Sequence, residues 1–265
     1  MVFPSCPVLH STVRCTLGAV SNETSAPQES STRAATSPEP AREEKAVRWF
    51  ELSLVLLVCF GSSLITSFHF VTAGDATAYP QKGVDWGYLI LQEVMGLLLL
   101  GYVLWRRRMT FRDLGLSWSP GQPITGVFLA AAAYLSYAVG YTLIHLAHQA
   151  SYHAVAQAGT SARQIFGHPS LLSIPLMILN PLFEELIVRA YLMKEIRALT
   201  GSWLLAGAVS VAVQTAYHLY YGWVTALSLG FQFLVYSIYY AKKQRATPIV
   251  VAHAIMDVWA MSQLW

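Results

Sequence analysis

The sequence predicts an all-α fold, a polytopic membrane helix bundle of about seven transmembrane helices. Three observations predict it. The 265 residues are 55% hydrophobic and only 12% charged, where a soluble domain carries about 25% charged residues. Apolar runs close to the length needed to cross about 30 Å of hydrocarbon recur along the chain. The basic residues fall in alternate loops between those runs. The net charge of +3 does not argue for nucleic acid as a partner. The partner that composition implies is the lipid bilayer.

Taken in order, residues 1–45 are rich in Ser, Thr, Ala, Pro and Glu without hydrophobic periodicity, and read as a disordered tail. The first residues hold no continuous apolar stretch of the kind a cleaved signal peptide needs. Residues 46–265 form the membrane domain. Spans are expected near 47–71, 86–105, 122–147, 170–193, 203–221, 223–241 and 247–264, the last two being the shortest. Pro120, Pro123, Pro169 and Pro248 fall near the predicted ends. With the N-terminus in the cytoplasm, the inside segments hold Arg42, Lys45, Arg48, Arg106-Arg-Arg108 with Arg112, Lys194 with Arg197, and Lys242-Lys243 with Arg245. The outside loops hold only Lys82 and Arg163. Such a bias is what the positive-inside rule demands of an inner or plasma membrane protein. Arg106–Arg112 reads as a topology anchor, with binding of anionic lipid headgroups as the alternative. Trp49, Trp86, Trp105 and Tyr220-Tyr221 read as an interfacial aromatic belt. Cys6, Cys15 and Cys59 match neither a disulfide framework nor a metal motif.

One apolar stretch carries charges that need a reason: Asn180-Pro-Leu-Phe-Glu-Glu-Leu-Ile-Val-Arg-Ala-Tyr-Leu-Met193. An ionisable group at the bilayer centre costs about 2.5–3.5 kcal/mol on insertion scales. Glu185 and Arg189 are i,i+4 and can pair on one face. Glu184 is rotated by about 100° from Glu185 and has no such partner on its own helix. At Asn180-Pro181 either the helix kinks, or a new segment starts with Asn180 as its cap and Glu184 near a positive helix end. Two later spans carry polar groups as well: His218, and His253 with Asp257 at i,i+4. Such groups face a bundle interior rather than lipid. Carboxylate with imidazole is equipment for general acid–base activation of water.

The ordered set Glu184-Glu185-x-x-x-Arg189, then His218, then His253-x-x-x-Asp257 resembles the CAAX protease and bacteriocin-processing (Abi) family of intramembrane endopeptidases. The resemblance covers roughly residues 165–260, and the context His218-Leu-Tyr-Tyr-Gly-Trp223 and Thr247-Pro-Ile-Val-Val-Ala-His253 is similar to bacterial members. It implies a helical membrane bundle around an internal cavity. It implies that Glu184 and His218 activate a water, that His253 and Asp257 serve the oxyanion side, and that Glu185 and Arg189 brace the first helix. No cofactor is expected. A zinc alternative would draw its ligands from Glu184, His218 and His253. The implied substrate is a peptide or membrane protein: a prenylated C-terminus, a bacteriocin-like leader or another membrane chain. Two positions depart from the family pattern: Gln214 stands where an aromatic is usual, and Ala190 where glycine often follows the arginine.

Two other functions fit parts of the pattern. A transporter or ion carrier would also keep buried acids and histidines, and would use Glu93 and the His145, His148 and His153 group. It would more often show repeated halves and broken helices in matching positions, which the sequence lacks. An inactive immunity or scaffold protein on a decayed protease fold would tolerate Gln214, but not require Glu184, His218 and His253 together.

Overall fold

The computed structural model describes residues 38–73, 85–151, 167 and 169–262, and every regular element among them is helical. The elements are α1 (Pro38–Ala73), α2 (Trp86–Arg106), α3 (Gly121–Ser151), α4 (Ser173–Glu184), a π-helical segment (Glu185–Tyr191), α5 (Leu192–Thr200), α6 (Trp203–Tyr217), a 3₁₀ turn (Leu219–Tyr221), α7 (Trp223–Lys243) and α8 (Thr247–Ser262). α4, the π segment and α5 run on without a break. The described helices therefore make seven rods, one at each expected span. The sequence reading started the membrane domain at residue 46; α1 begins at Pro38.

Local signals set the ends. Asp85 caps α2 by accepting the Tyr88 N–H at 3.0 Å, and Ser202 caps α6 by accepting the Leu205 N–H at 3.1 Å. Gly201 closes α5 at φ +79°, a left-handed position that favours glycine. α3 packs along α7 and α8, α6 lies against α5 and α7, and α4 packs between α2 and α8. Small residues allow the close crossings. A Cβ on Gly126 would stand 2.6 Å from Val251 of α8, and one on Gly140 2.6 Å from Phe231 of α7. The outward faces are apolar: Phe50, Leu57, Phe68, Leu98, Trp105, Phe128 and Leu204 are all exposed. For an apolar bundle this is the lipid-facing surface rather than an interaction patch.

Four helical stretches are long and apolar enough to cross a membrane: Glu43–His69, Trp86–Arg106, Gly121–Ala147 and Trp223–Lys243. The expected order of lengths needs correction. α7 has 21 residues, whereas α6 has 15 and α8 has 16. At 1.5 Å per residue, α6 covers only about 22 Å of the roughly 30 Å core. It stops because the chain tightens at His218, whose N–H bonds the Thr215 carbonyl at 3.2 Å, and then turns at Gly222 with φ +90°. A helix that ends early leaves its last side chain, His218, inside the bundle.

The basic segments meet at one end. Arg107 bridges Glu51 of α1 and Glu195 of α5, reaching Glu51 Oε2 through Nε at 2.7 Å and Glu195 Oε2 through Nη1 at 2.7 Å. Arg48 adds a 2.9 Å bond to Glu195. Lys194 donates to the Asp113 carbonyl. Arg107 is thus a part-buried clamp of three helices as well as a member of the basic turn. Gly115, at φ +87°, packs against the Gln244 carbonyl, and its own carbonyl accepts the Ala246 N–H at 2.9 Å, tying that turn to the start of α8.

Candidate active site

The α4–α5 rod continues as helix through Pro181. Of the two local readings, a kink or a new segment capped by Asn180, the new segment does not form: Asn180 sits within α4 and donates through Nδ2 to Asp257 Oδ2 at 3.2 Å. The irregularity comes four residues later as the π segment, where the Leu192 N–H reaches back to the Ile187 carbonyl. A π bulge changes the angular spacing of side chains and recurs at functional sites. Here it begins at the two adjacent glutamates.

The two carboxylates face different helices. Glu184, 7% exposed, accepts from Gln214 Nε2 and from the Tyr217 hydroxyl through Oε2, both at 2.9 Å. Its Oε1 has no hydrogen-bond partner among the described residues. Glu185 is fully buried. Its Oε1 meets His253 Nδ1 at 2.9 Å, and its Oε2 lies 3.6 Å from Arg189 Nε, an ion pair rather than a hydrogen bond. Arg189, also fully buried, donates to Ser210 Oγ at 2.7 Å and to Gln214 Oε1, and lies over the Phe233 ring at 5.4 Å. The expected i,i+4 pair is present, but most of the arginine's hydrogen bonds come from α6.

A carbonyl sets the tautomer of His218, whereas His253 has a carboxylate near each ring nitrogen. His218 Nδ1 lies 2.8 Å from the Gln214 carbonyl. A carbonyl only accepts, so Nδ1 carries the hydrogen and Nε2 is left with no partner among the described residues. The ring is wedged against Tyr217, Tyr220, Tyr221 and Phe233, with centroids 4.6 to 6.1 Å away. Tyr220 and Tyr221 are therefore walls of the site. His253 turns Nδ1 to Glu185 and sets Nε2 3.5 Å from Asp257 Oδ1.

Glu184, His218, His253 and Asp257 line one cavity of about 210 Å³, together with Glu93 and Asn180. Glu93 is 6% exposed and its Oε2 has no partner among the described residues. Glu185 and Arg189 lie behind the wall. A larger cleft, about 820 Å³, opens among Arg48, Glu51, Arg107, Lys194, Glu195 and Arg197. The imidazoles and the unpartnered carboxylate oxygens are in the smaller cavity.

Among the described residues no group of three His, Cys, Asp or Glu side chains is arranged to hold a metal ion. Glu184 Oε2 bonds Gln214 and Tyr217, and His253 Nδ1 meets Glu185, while Glu184 Oε1 and His218 Nε2 have no partner among the described residues. Of the outer histidines, His145 stacks on Tyr141 at 5.6 Å; the side chains of His148 and His153 lie outside the described residues.

Gln214, Tyr217, Ser210 and Asn180 are participants that spacing alone did not single out. A signal for Ser210 and Gln214 existed. Ser210, Gln214 and His218 recur every four residues and so share one face of α6. Gln214, a departure from the family pattern, joins Arg189 to Glu184 and lends its carbonyl to His218.

Residues 166–259 match the model of a family described as Rce1-like, type II CAAX prenyl endopeptidase Rce1-like. The match falls on the segment that carries the resemblance read from the residues and includes every residue of the set above. α1, α2 and α3 lie outside it. No curated protein and no solved structure matches the chain. Over that segment the chain is similar to the Rce1-like family, and the match and the four long apolar helices together point to an integral membrane protein.

Proposed function

We propose that the chain is an intramembrane endopeptidase that hydrolyses a peptide bond of a membrane-associated substrate with a water activated by Glu184 and His218. The observation that carries this reading is the convergence of Glu184, His218, His253 and Asp257, from three separate stretches of chain, on one cavity. In the proposed step the free Glu184 Oε1 takes a proton from water while the water oxygen bonds to the substrate carbonyl carbon. His218 Nε2, unprotonated because Nδ1 holds the hydrogen, accepts the water's second hydrogen and aligns its lone pair. The carbonyl π electrons move onto oxygen. A protonated His253 Nε2 and the second N–H of the Asn180 amide donate to that oxyanion. As the tetrahedral carbon collapses, the carbon–nitrogen bond breaks, and Glu184 passes its proton to the departing amine nitrogen. The products are a carboxyl end and an amine end, and Glu184 returns to its starting form.

Glu185 and Arg189 stay out of the chemistry in this reading: the glutamate orients His253, and the arginine fixes Glu185 and Gln214. The scheme uses no metal. It is tested by comparing peptide ends in membranes of cells carrying the wild-type chain with those carrying Glu184→Gln. Losing a general base typically costs 10²–10⁴-fold, so new ends present with the wild type are expected to disappear with the variant. Equal cleavage by a folded Glu184→Gln protein would remove Glu184 from the role.

A further inference from the structure

The proposed step gives no task to Glu93, a buried carboxyl on the wall of the catalytic cavity. It also lies outside the segment 166–259 that matches the family. Its helix turns it inward. The buried residues of α2 are Glu93, Gly96, Leu100, Val103 and Leu104, one face that would be apolar throughout but for the acid. α2 meets α4 beside it: a Cβ on Gly96 would stand 2.4 Å from the Phe183 ring. Gly96 is one turn from Glu93 on the same face, and Phe183 is the neighbour of Glu184 in the chain. This close approach brings the Glu93 and Glu184 carboxyls to one cavity. Gln92 fixes the rotation of α2, its Nε2 donating to the Cys59 carbonyl at 3.2 Å and to Ser62 Oγ at 3.3 Å.

Among the described residues nothing in the bundle answers this acid. Its Oε2 is buried without a hydrogen-bond partner, and no arginine or lysine lines the cavity. A buried polar atom without a partner is costly, and an ionisable one inside a membrane span points to function. An apolar side chain would fill the position without that cost. What the carboxyl gains must therefore arrive with the substrate. A peptide bond entering an apolar cavity brings one acceptor and one donor, and both need partners. In the proposed step its carbonyl oxygen is met by His253 and Asn180. Its N–H still needs an acceptor. Glu184 is occupied with the water, and Asp257 already accepts from Asn180 and lies beside His253. The remaining carboxyl of the cavity is Glu93.

We propose that Glu93 holds the substrate, its carboxyl oxygen accepting the N–H of the scissile amide and keeping that nitrogen bound as it leaves. This rests on the endopeptidase reading and adds to it a residue from α2. No proton passes to or from Glu93. Glu184 delivers the proton to the nitrogen as the carbon–nitrogen bond breaks, and the N–H held by Glu93 stays on the nitrogen throughout. A carboxyl oxygen accepts in either protonation state. The bond strengthens as the nitrogen turns from amide to protonated amine, so the contact favours the breaking bond over the intact one.

The test uses the purified full chain in proteoliposomes, incubated with membranes from cells lacking it. It reads the rate at which Glu184-dependent peptide ends appear, and the thermal melt of each variant. Glu93→Met keeps the length of the side chain and removes its oxygens, whereas Glu93→Gln keeps an acceptor oxygen. Glu93→Met is expected to melt no lower than the wild type, because it removes a buried atom that has no partner. It is expected to cleave about 10–100-fold more slowly, the worth of one hydrogen bond to a carboxyl. Glu93→Gln is expected to cleave within about tenfold of the wild type, where Glu184→Gln loses cleavage. Cleavage by Glu93→Met at the wild-type rate overturns the proposal. A melt of Glu93→Met that falls in step with its cleavage overturns it in favour of a structural role. Glu93→Gln as slow as Glu93→Met overturns it in favour of proton transfer. Each of these results leaves the endopeptidase standing; if no Glu184-dependent end appears, the endopeptidase reading and the role of Glu93 both fall.

Discussion

Glu184 and Glu185 are neighbours in the chain with opposite surroundings, and that difference assigns their roles. Glu185 is enclosed by Arg189 and His253; Glu184 keeps an oxygen toward the cavity. Removing Arg189 leaves Glu185 buried beside an imidazole with its fixed cation gone. Breaking such a pair costs about 3–5 kcal/mol, so Arg189→Ala is expected to express poorly and melt early. A stable, well-expressed and inactive Arg189→Ala would instead move the guanidinium into the chemistry. Gln214→Leu unpairs one nitrogen of Arg189 and removes a donor from Glu184. Hydrogen bonds to charged groups are worth about 1.5–3 kcal/mol, and a thermal melt that falls by that equivalent, with activity reduced, is the expected result. Asp257 separates charge from shape. Asparagine can still accept from Asn180 while offering an amide donor, so Asp257→Asn is expected to keep most activity. Asp257→Ala should lose about 10²–10³-fold. A dead Asp257→Asn restored by zinc would overturn the metal-free step. At this scale the sequence revealed the charged residues and their same-helix spacing, since i,i+4 neighbours are fixed by helix geometry alone. It did not reveal that Gln214 and Ser210 complete Arg189 from α6. Partners across helices depend on packing, which one-dimensional spacing does not carry.

At the scale of elements, two irregular features aim the site: the π segment in the α4–α5 rod and the early end of α6. The first was hidden because the proline that suggests a break, Pro181, is tolerated inside α4, while the residues of the bulge itself are ordinary helix formers. The second was legible in part. His218-Leu-Tyr-Tyr-Gly222 ends in a glycine that takes φ +90°, yet its aromatics extended the apolar run and made the span look complete. The expectation that the last two spans would be the shortest failed for this reason. Close packing of α3 on α8 holds the His253 helix in place. Gly126→Ala would put a methyl 2.6 Å from Val251 and 3.0 Å from the Pro248 carbonyl. Overpacking of this kind costs about 1–3 kcal/mol, and the expected readout is a lower melting temperature with activity lost in proportion. An unchanged melt would show that the helices separate there without loss.

Across the whole molecule, one end of the bundle is tied by arginine–glutamate clamps and the other holds a small acid–base cavity. The number of rods and the location of the charged groups follow from where apolar runs begin and end, which the bilayer imposes on any spanning chain. The cavity does not follow from those rules, because it is formed by residues of five rods and a turn meeting in space. The central claim is that Glu184 activates water for peptide hydrolysis without a metal. Its most direct test uses the purified full chain in proteoliposomes, incubated with membranes from cells lacking it, as wild type and as Glu184→Gln, each with and without a chelator. The account predicts new peptide ends with the wild type, unchanged by chelator, and none with Glu184→Gln. Cleavage by Glu184→Gln, or wild-type cleavage abolished by chelator and restored by zinc, would contradict it.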